Sequence, residues 1–243
     1  SVLALGIAAA LPLWAEEGAR QPMLEEVIVT AEHREASVQD TQISISAFSD
    51  EAMAELGISN MGDLSNFAPN MMISEQSSGR SGFAVNIRGI RQGESQVSFD
   101  PAVGMYVDGV LIAKNVGALL DSLDPERIEV LRGPQGTLYG RNTIGGAVNI
   151  VTKKPTDELE GKIAATLGSE NQQDFRGTLN LPLLPADSAV GALNLRASLG
   201  TMDRDGFYRN DFPGASVQDL DTVDRNLALV HLQWQPVDAL DVL

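Results

Sequence analysis

The run "RGPQGTLYGRNTIGGAVNIVT" at 132–152 places five glycines in a short span that ends in an alternating apolar stretch. Glycine at this density lets a backbone turn tightly, or lets something approach it closely. A phosphate cradle would follow G-x-x-x-x-G-K-[ST]. With Gly140 as its second glycine, that pattern needs glycine at Gln135 and lysine at Arg141, so it fails twice. A dinucleotide fingerprint needs a helix after the glycines, whereas "GGAVNIVT" has the alternation of a strand. Metal chemistry fares no better, since the two histidines, His33 and His231, lie in a polar N-terminal segment and on a strand pattern. "DRDGFYRND" (203–211) has the acidic spacing of a calcium loop but a misplaced glycine, and reads as a solvated loop. No Ser/His/Asp or paired-carboxylate spacing points to catalysis, so neither an enzyme nor a cofactor is expected. The remaining visitor is protein. Gly133, Gly136, Gly140, Gly145 and Gly146 would let the backbone fold against a neighbouring wall, and Arg132 and Arg141 would offer planar guanidinium forks to carboxylates there.

The rest of the chain must position that stretch. Its 243 residues carry a net charge of −16 and no cysteine. Such an acid excess excludes nucleic acid as a partner, because phosphate neutralisation needs clustered Lys and Arg. A disulfide framework is excluded too, and 43% apolar residues are too many for a disordered acidic tail. Residues 1–15, "SVLALGIAAALPLWA", carry no charge and contain Pro12. They are too short to span a membrane as a helix and read as the apolar core of a secretory signal ending near Ala15, although Leu13 departs from the small-x-small pattern. Residues 16–40 form a flexible polar segment with one apolar island, "EEVIVTA" (Glu25, Glu26, Val27, Ile28, Val29, Thr30, Ala31). Its β-branched residues favour an extended chain, and nothing adjacent looks able to pair with it. It could be a free edge for another protein's sheet or the first strand of the following domain.

From residue 41 the signals mix. "QISISAF" alternates; "SDEAMAELG" is a short helix capped by Ser49 or Asp50 and stopped by Gly57; "MGDLSNFAP" is a second short helix ended by Pro69. "FAVNIRGI" (83–90) alternates, "VGMYVDGVLI" is a hairpin on Asp108-Gly109, "ALLDSLDP" suggests a third short helix, and "RIEVLRG" a strand. These elements make an α+β domain over 41–155. Over 156–243 strict alternation takes over, at 159–167, 175–181, 193–199 and 225–234, with "DALDVL" starting a fifth strand. One face carries Leu159, Ile163, Phe175, Leu179, Leu199, Val230, Leu232 and Trp234; the other is mostly polar. The lengths approach the ~9–11 residues of a tilted membrane strand. A soluble sandwich shows the same alternation, but the connections favour a barrel: 182–189 and 235–238 are short and share one rim, while the long acidic 200–224 falls on the other.

The chain resembles the TonB-dependent receptors of Gram-negative outer membranes. "EEVIVTA" resembles the TonB box, and "NIRGI", "VGMYVDGVLI", "DPERIEVLRGPQGTLYG" and "GGAVNIVTKKP" resemble, in order, the signature segments of the plug. The resemblance implies an α+β plug domain followed by the start of an antiparallel transmembrane β-barrel of about 22 strands. It implies import of a scarce ligand across the cell outer membrane, a ferric siderophore before cobalamin, haem or a saccharide. It also implies that TonB of the inner-membrane complex pulls on 25–31 by strand addition. A signal-transducing variant would carry a further domain before the box. Plug–barrel packing falls to Arg88, Gly89, Arg132, Gly133, Gly140, Arg141, Gly145 and Gly146. Ligand contacts fall to the loops at 75–82 and 91–99, with Arg80 and Arg91 suited to an anionic chelate. Four strands and part of a fifth cannot close a barrel, so the chain reads as a fragment that does not transport by itself.

Overall fold

The computed structural model describes residues 28–29, 36–37, 39, 41–58, 60–75, 83–91, 101–112, 124–212 and 219–236. The expected signal segment and the helix expected at "ALLDSLDP" lie outside them, apart from that helix's last two residues, as does the fifth strand. Two short strands come first, β1 (Ile28–Val29) and β2 (Ala36–Ser37), then β3 (Ile45–Ser49). β3 runs directly into helix α1 (Asp50–Leu56). Ser49 caps it by accepting from the Ala52 N–H at 3.2 Å, and Gly57 ends it in the left-handed conformation at φ 69°. Asp50 and Glu51 sit in its first turn, where the helix dipole favours negative charge. The second expected helix is a 3-10 turn, Gly62–Asn66. It is tied by a reciprocal pair in which the Asn60 N–H donates to Asp63 Oδ2 and the Asp63 N–H to Asn60 Oδ1, both at 3.1 Å.

A hairpin follows, β4 (Met71–Glu75) with β5 (Phe83–Ile87). The alternation expected through Ile90 stops at Ile87, because Arg88 (φ 55°) and Gly89 (φ 80°) form a tight turn that Ile87 and Ile90 close with two backbone bonds. The Asp108-Gly109 turn, at φ 48° and 79°, joins β6 (Val103–Val107) to β7 (Val110–Leu111) as expected. β8 (Pro125–Arg132), the one-turn helix α2 (Gly136–Tyr139) and β9 (Gly146–Thr152) complete this part. Its main sheet has the order β3-β8-β9-β6-β7, with β6 and β9 parallel and the rest antiparallel. One face of the sheet buries Phe48, Met105, Ile128, Val130, Val148 and Ile150 against Met53 of α1 and Leu64 of the 3-10 turn. The other carries a smaller cluster of Tyr106, Leu131, Tyr139 and Ala147.

Four long strands then form an antiparallel meander: β10 (Glu160–Leu167), β11 (Gln173–Leu184), β12 (Ala192–Arg204) and, after the short pair β13 (Tyr208–Arg209) and β14 (Asp219–Leu220), β15 (Val223–Gln235). The small hairpin inside the long acidic loop is too short to show as periodicity. The faces of the meander are inverted relative to a soluble protein. Ile163 is 90% exposed, Leu199 60% and Val230 61%, while Asn180, Asn194, Arg196 and Ser198 on the opposite face are at most 7% exposed. A sandwich would bury the apolar face. A sheet that buries its polar face against protein and turns Leu, Ile, Val and Trp outward is built for lipid. Among the described residues no helix is long and apolar enough to cross a membrane.

Two outcomes follow from these contacts. In a complete barrel that carries this chain, Val230→Arg should cost about 2–4 kcal/mol if the site lies near the bilayer midplane. The loss should appear as reduced assembled protein in the membrane fraction, whereas the same change on a solvated face would be near neutral. Gly146 has φ 151°, and a Cβ there would lie 2.2 Å from the Leu131 carbonyl oxygen. Gly146→Ala should therefore destabilise the chain by about 3 kcal/mol, read as a lower urea midpoint in near-ultraviolet circular dichroism.

Candidate functional site

The apolar island is docked rather than free. Ile28 pairs with Ser37 and Val29 with Ala36, so the expectation that nothing adjacent could partner this stretch is corrected. Ala36 and Ser37 are small and have low strand propensity, which hid them from a pattern reading. Val29 is fully buried against Tyr106, Leu131, Tyr139 and Ala147, with Ile45, Ala47 and Leu111 packed around them. The floor of this socket is an edge-on pair of tyrosines, 4.8 Å between ring centres, in which the Tyr106 hydroxyl donates to the Tyr139 carbonyl at 2.5 Å. Burial pushes both phenols up, and for Tyr139 the nearby negative charge of Glu129 adds to it, so both stay neutral at physiological pH. The hold on the island is slight: two paired positions and one buried valine, which contributes about 1.5–3 kcal/mol before the cost of ordering the segment. Glu25, Glu26, Val27, Thr30 and Ala31 lie outside the described residues.

Beside the socket, Glu129 is fully buried on the same sheet face. It accepts from Arg127 Nε at 2.9 Å and from Asn149 Nδ2 at 3.1 Å. The glycine-rich stretch folds over the end of this sheet, where Gly133 N–H donates to Gly145 O and Gln135 N–H to Thr143 O. A Cβ on Gly133 (φ 104°) would come within 3.1 Å of the Arg88 guanidinium, so arginine and glycine interlock across two turns. Arg132 grips the start of β3: its backbone N–H donates to Ser44 O at 2.9 Å and its guanidinium to Ile45 O at 3.3 Å. Gly145 packs on Val103 and Ile90, and Gly146 on Leu131 and Ile87. Gly89, Gly140 and Arg141 sit at exposed turns. The near neighbours of Gly133, Gly145 and Gly146 thus belong to the α+β part itself.

The bonds that join the α+β part to the meander come from residues the sequence did not single out. Arg196, on the buried face of β12, makes two bonds to Asp124, at 2.6 Å from Nε and 2.5 Å from Nη2, and reaches Glu160 at 3.3 Å. Asp50 binds Lys153 at 2.6 Å and lies 3.7 Å from Lys162 on β10. Burial pushes the Asp50 carboxyl up, but the hydrogen bond and charge of Lys153, with the charge of Lys162, outweigh it and leave it below the ordinary value. The contact is therefore fully charged at neutral pH, and its contribution fades only as pH falls below the usual Asp range. Thr152 donates its backbone N–H and hydroxyl to Asp108, at 2.9 and 2.7 Å, and its hydroxyl oxygen lies 3.4 Å from His231 Nε2. Asn180 is buried in β11. Its side-chain oxygen accepts from Thr156 N–H and its nitrogen donates to the carbonyls of Thr156 and Glu158, which staples the connecting segment to the sheet. Between β15 and the α+β part lies a cleft of about 1010 Å³, lined by Asp108, Arg127, Asn149, Lys154, His231 and Gln233 among others.

A buried arginine on a strand face announces that it needs a partner, but nothing in the linear order names an acid 72 residues away. Of the two ligand candidates, Arg91 is exposed at the end of a described segment and Arg80 lies outside the described residues. Among the described residues no group of His, Cys, Asp or Glu is arranged to hold a metal ion.

Comparison with known proteins agrees with this geometry. Residues 37–147 match the TonB-dependent receptor plug domain. The pesticin receptor of Yersinia pestis is 33% identical over 70% of this chain and 25% of its own length. The catecholate siderophore receptor Fiu of Escherichia coli is 26% identical over 65% of this chain and 20% of its own. The crystal structure of the ferric yersiniabactin uptake receptor FyuA from Yersinia pestis superposes with a TM-score of 0.66 at 28% identity, over 81% of this chain and 29% of that one. The chain thus spans about a quarter of the length of the curated relatives it matches. With a plug-family match, a sheet on whose buried face Arg196 meets that plug, and an outward face made for outer-membrane lipid, the chain belongs to the TonB-dependent receptors, as their plug followed by the first strands of the barrel wall.

Proposed function

We propose that the receptor to which this chain belongs imports a ferric siderophore across the outer membrane and acts as a transporter rather than an enzyme. Residues 41–155 serve as its plug, 156–243 as part of its wall, and 25–31 as its TonB box. The observation that carries this reading is the state of Val29: an extended apolar segment held by two paired positions and one buried side chain, on a plug fixed to the wall by charge. A segment held that lightly is easily released to a competing strand partner. Strand addition by the C-terminal domain of TonB would replace the β2 pairing with main-chain bonds of its own. Similarity to receptors named for catecholate siderophores and ferric yersiniabactin supports an iron chelate as the cargo. Arg80 and Arg91, on the two plug loops, would meet an anionic chelate from outside.

The test uses the receptor with its whole barrel. Ile28→Pro removes a backbone N–H from the box and forbids its pairing. TonB-dependent uptake of radiolabelled iron chelate should collapse while equilibrium binding of the same chelate stays unchanged. Equal loss of both would argue against energised transport. Arg91→Ala should have the opposite signature, weakening chelate binding by about tenfold with the energised step intact, as measured by comparing Kd with uptake at saturation.

A further inference from the structure

We propose that the outward face of the wall carries a lipid-binding groove at Gly177, which takes one acyl chain of a two-chain lipid while Asp203 and Asp224 receive the ammonium of its headgroup. The groove follows from register. Ile163, Gly177, Leu199 and Ala228 lie side by side across β10, β11, β12 and β15, on the face that the sheet turns to the membrane. The next row toward the rim that bears β13 and β14 holds Ala165, Phe175, Thr201 and Asn226. The row on the other side holds Gly161, Leu179, Ala197 and Val230. Gly177 is therefore a gap fenced by Ile163, Leu199, Phe175 and Leu179, all of them exposed. A Cβ built on Gly177 would meet nothing within 4 Å. The resulting groove has a volume of about 630 Å³ and reaches from Ile163 across Leu199 to Asn226 and Ala228.

The surroundings name the occupant. This face meets hydrocarbon, so covering an apolar side chain there gains nothing from the hydrophobic effect, and only shape and dispersion contacts distinguish one lipid position from another. A flush row of Leu, Ile and Val touches an acyl chain on one side, whereas the gap at Gly177 touches it on three. Depth fits as well. From Asn226 to Trp234, β15 covers about 26 Å along the strand, or about 20 Å across a bilayer at the usual tilt. Trp234, exposed near the end of β15, marks one interface and Asn226 the other, so the groove opens at headgroup level. One row further out, Asp203 and Asp224 stand directly opposite one another, both exposed. Like charges so placed repel, and among the described residues neither carboxylate has a hydrogen-bond or ionic partner. No lysine or arginine shares the outward face of the four long strands. The mouth of the groove therefore favours a cationic group, and an ammonium can donate to both carboxylates at once.

The experiment uses the receptor with its whole barrel, purified in detergent and titrated with dipalmitoyl phosphatidylethanolamine or dipalmitoyl phosphatidylglycerol. Bound lipid is counted by native mass spectrometry. The unmodified receptor should retain one phosphatidylethanolamine with about tenfold preference over phosphatidylglycerol. Gly177→Leu, which fills the gap, should weaken that binding by about tenfold. Gly161→Leu, on the same face but outside the groove, should leave it within about twofold. Asp203→Asn with Asp224→Asn should abolish the preference between headgroups while one lipid is still retained. Assembly of each variant is checked first by its resistance to unfolding in sodium dodecyl sulfate without heating. Should Gly177→Leu fail to assemble, Gly177→Ala adds a single methyl to the same space and should still weaken binding by about threefold. No retained lipid, equal retention by Gly177→Leu and Gly161→Leu, or a headgroup preference that survives the double amide variant would each overturn the proposal. So would a preference for phosphatidylglycerol, with or without magnesium, since that would place an anionic headgroup at the mouth.

Discussion

A sheet that turns its apolar side chains to lipid must find something polar for its other face. Arg196 states the problem in one residue: a guanidinium nearly excluded from water is costly unless its charge is matched. Its solution, a two-bond grip on Asp124 with Glu160 beside it, requires a second body to stand inside the curve of the strands. The plug is that body. Asp50, Thr152 and Thr156 then follow the same logic, each meeting a lysine, a histidine or an amide that the inverted sheet presents. The plug's own core, by contrast, is ordinary: Met, Ile, Val and Leu packed between a mixed sheet and two short helical turns.

Two grades of attachment result. The plug is tied to the wall by charged and amide contacts that cluster near Asp124, Thr152 and Asn180, close to where the chain leaves the plug for β10. The segment at 28–29 is held by one buried valine and a two-position strand pair. Under the proposed pull the weak attachment would give before the strong one. Among the described residues Arg132 holds Ser44 and Ile45 at the start of β3.

Much of this was legible in the residues. Ser49 and Gly57 announced a helix and delimited it, Asp108-Gly109 announced a hairpin, and strict alternation gave every long strand and the correct outward side chains. These signals are local, set by backbone preference and by periods of two or 3.6 residues. The glycine density of the 132–152 run predicts close approach to a neighbouring wall. Its described neighbours, though, are the plug's own turns, Arg88 on Gly133 and Leu131 on Gly146, and proximity in space has no signature in spacing. The pairing of Ala36–Ser37 with the island escaped because two small residues carry no pattern. The 3-10 turn at Gly62–Asn66 differs from an α-helix by hydrogen-bond register alone, which composition does not encode. Asp124 and Arg196 were invisible for the same reason as any long-range pair: each is unremarkable until the fold brings them together.

The hollow beneath Val29 has a further effect. Once vacated, it leaves Leu131, Ala147 and two aromatic rings facing water. That surface is worse off wet than covered, so under the proposed pull only the outward stroke would need work, and the aversion of a tyrosine-floored hole to solvent would draw the segment home.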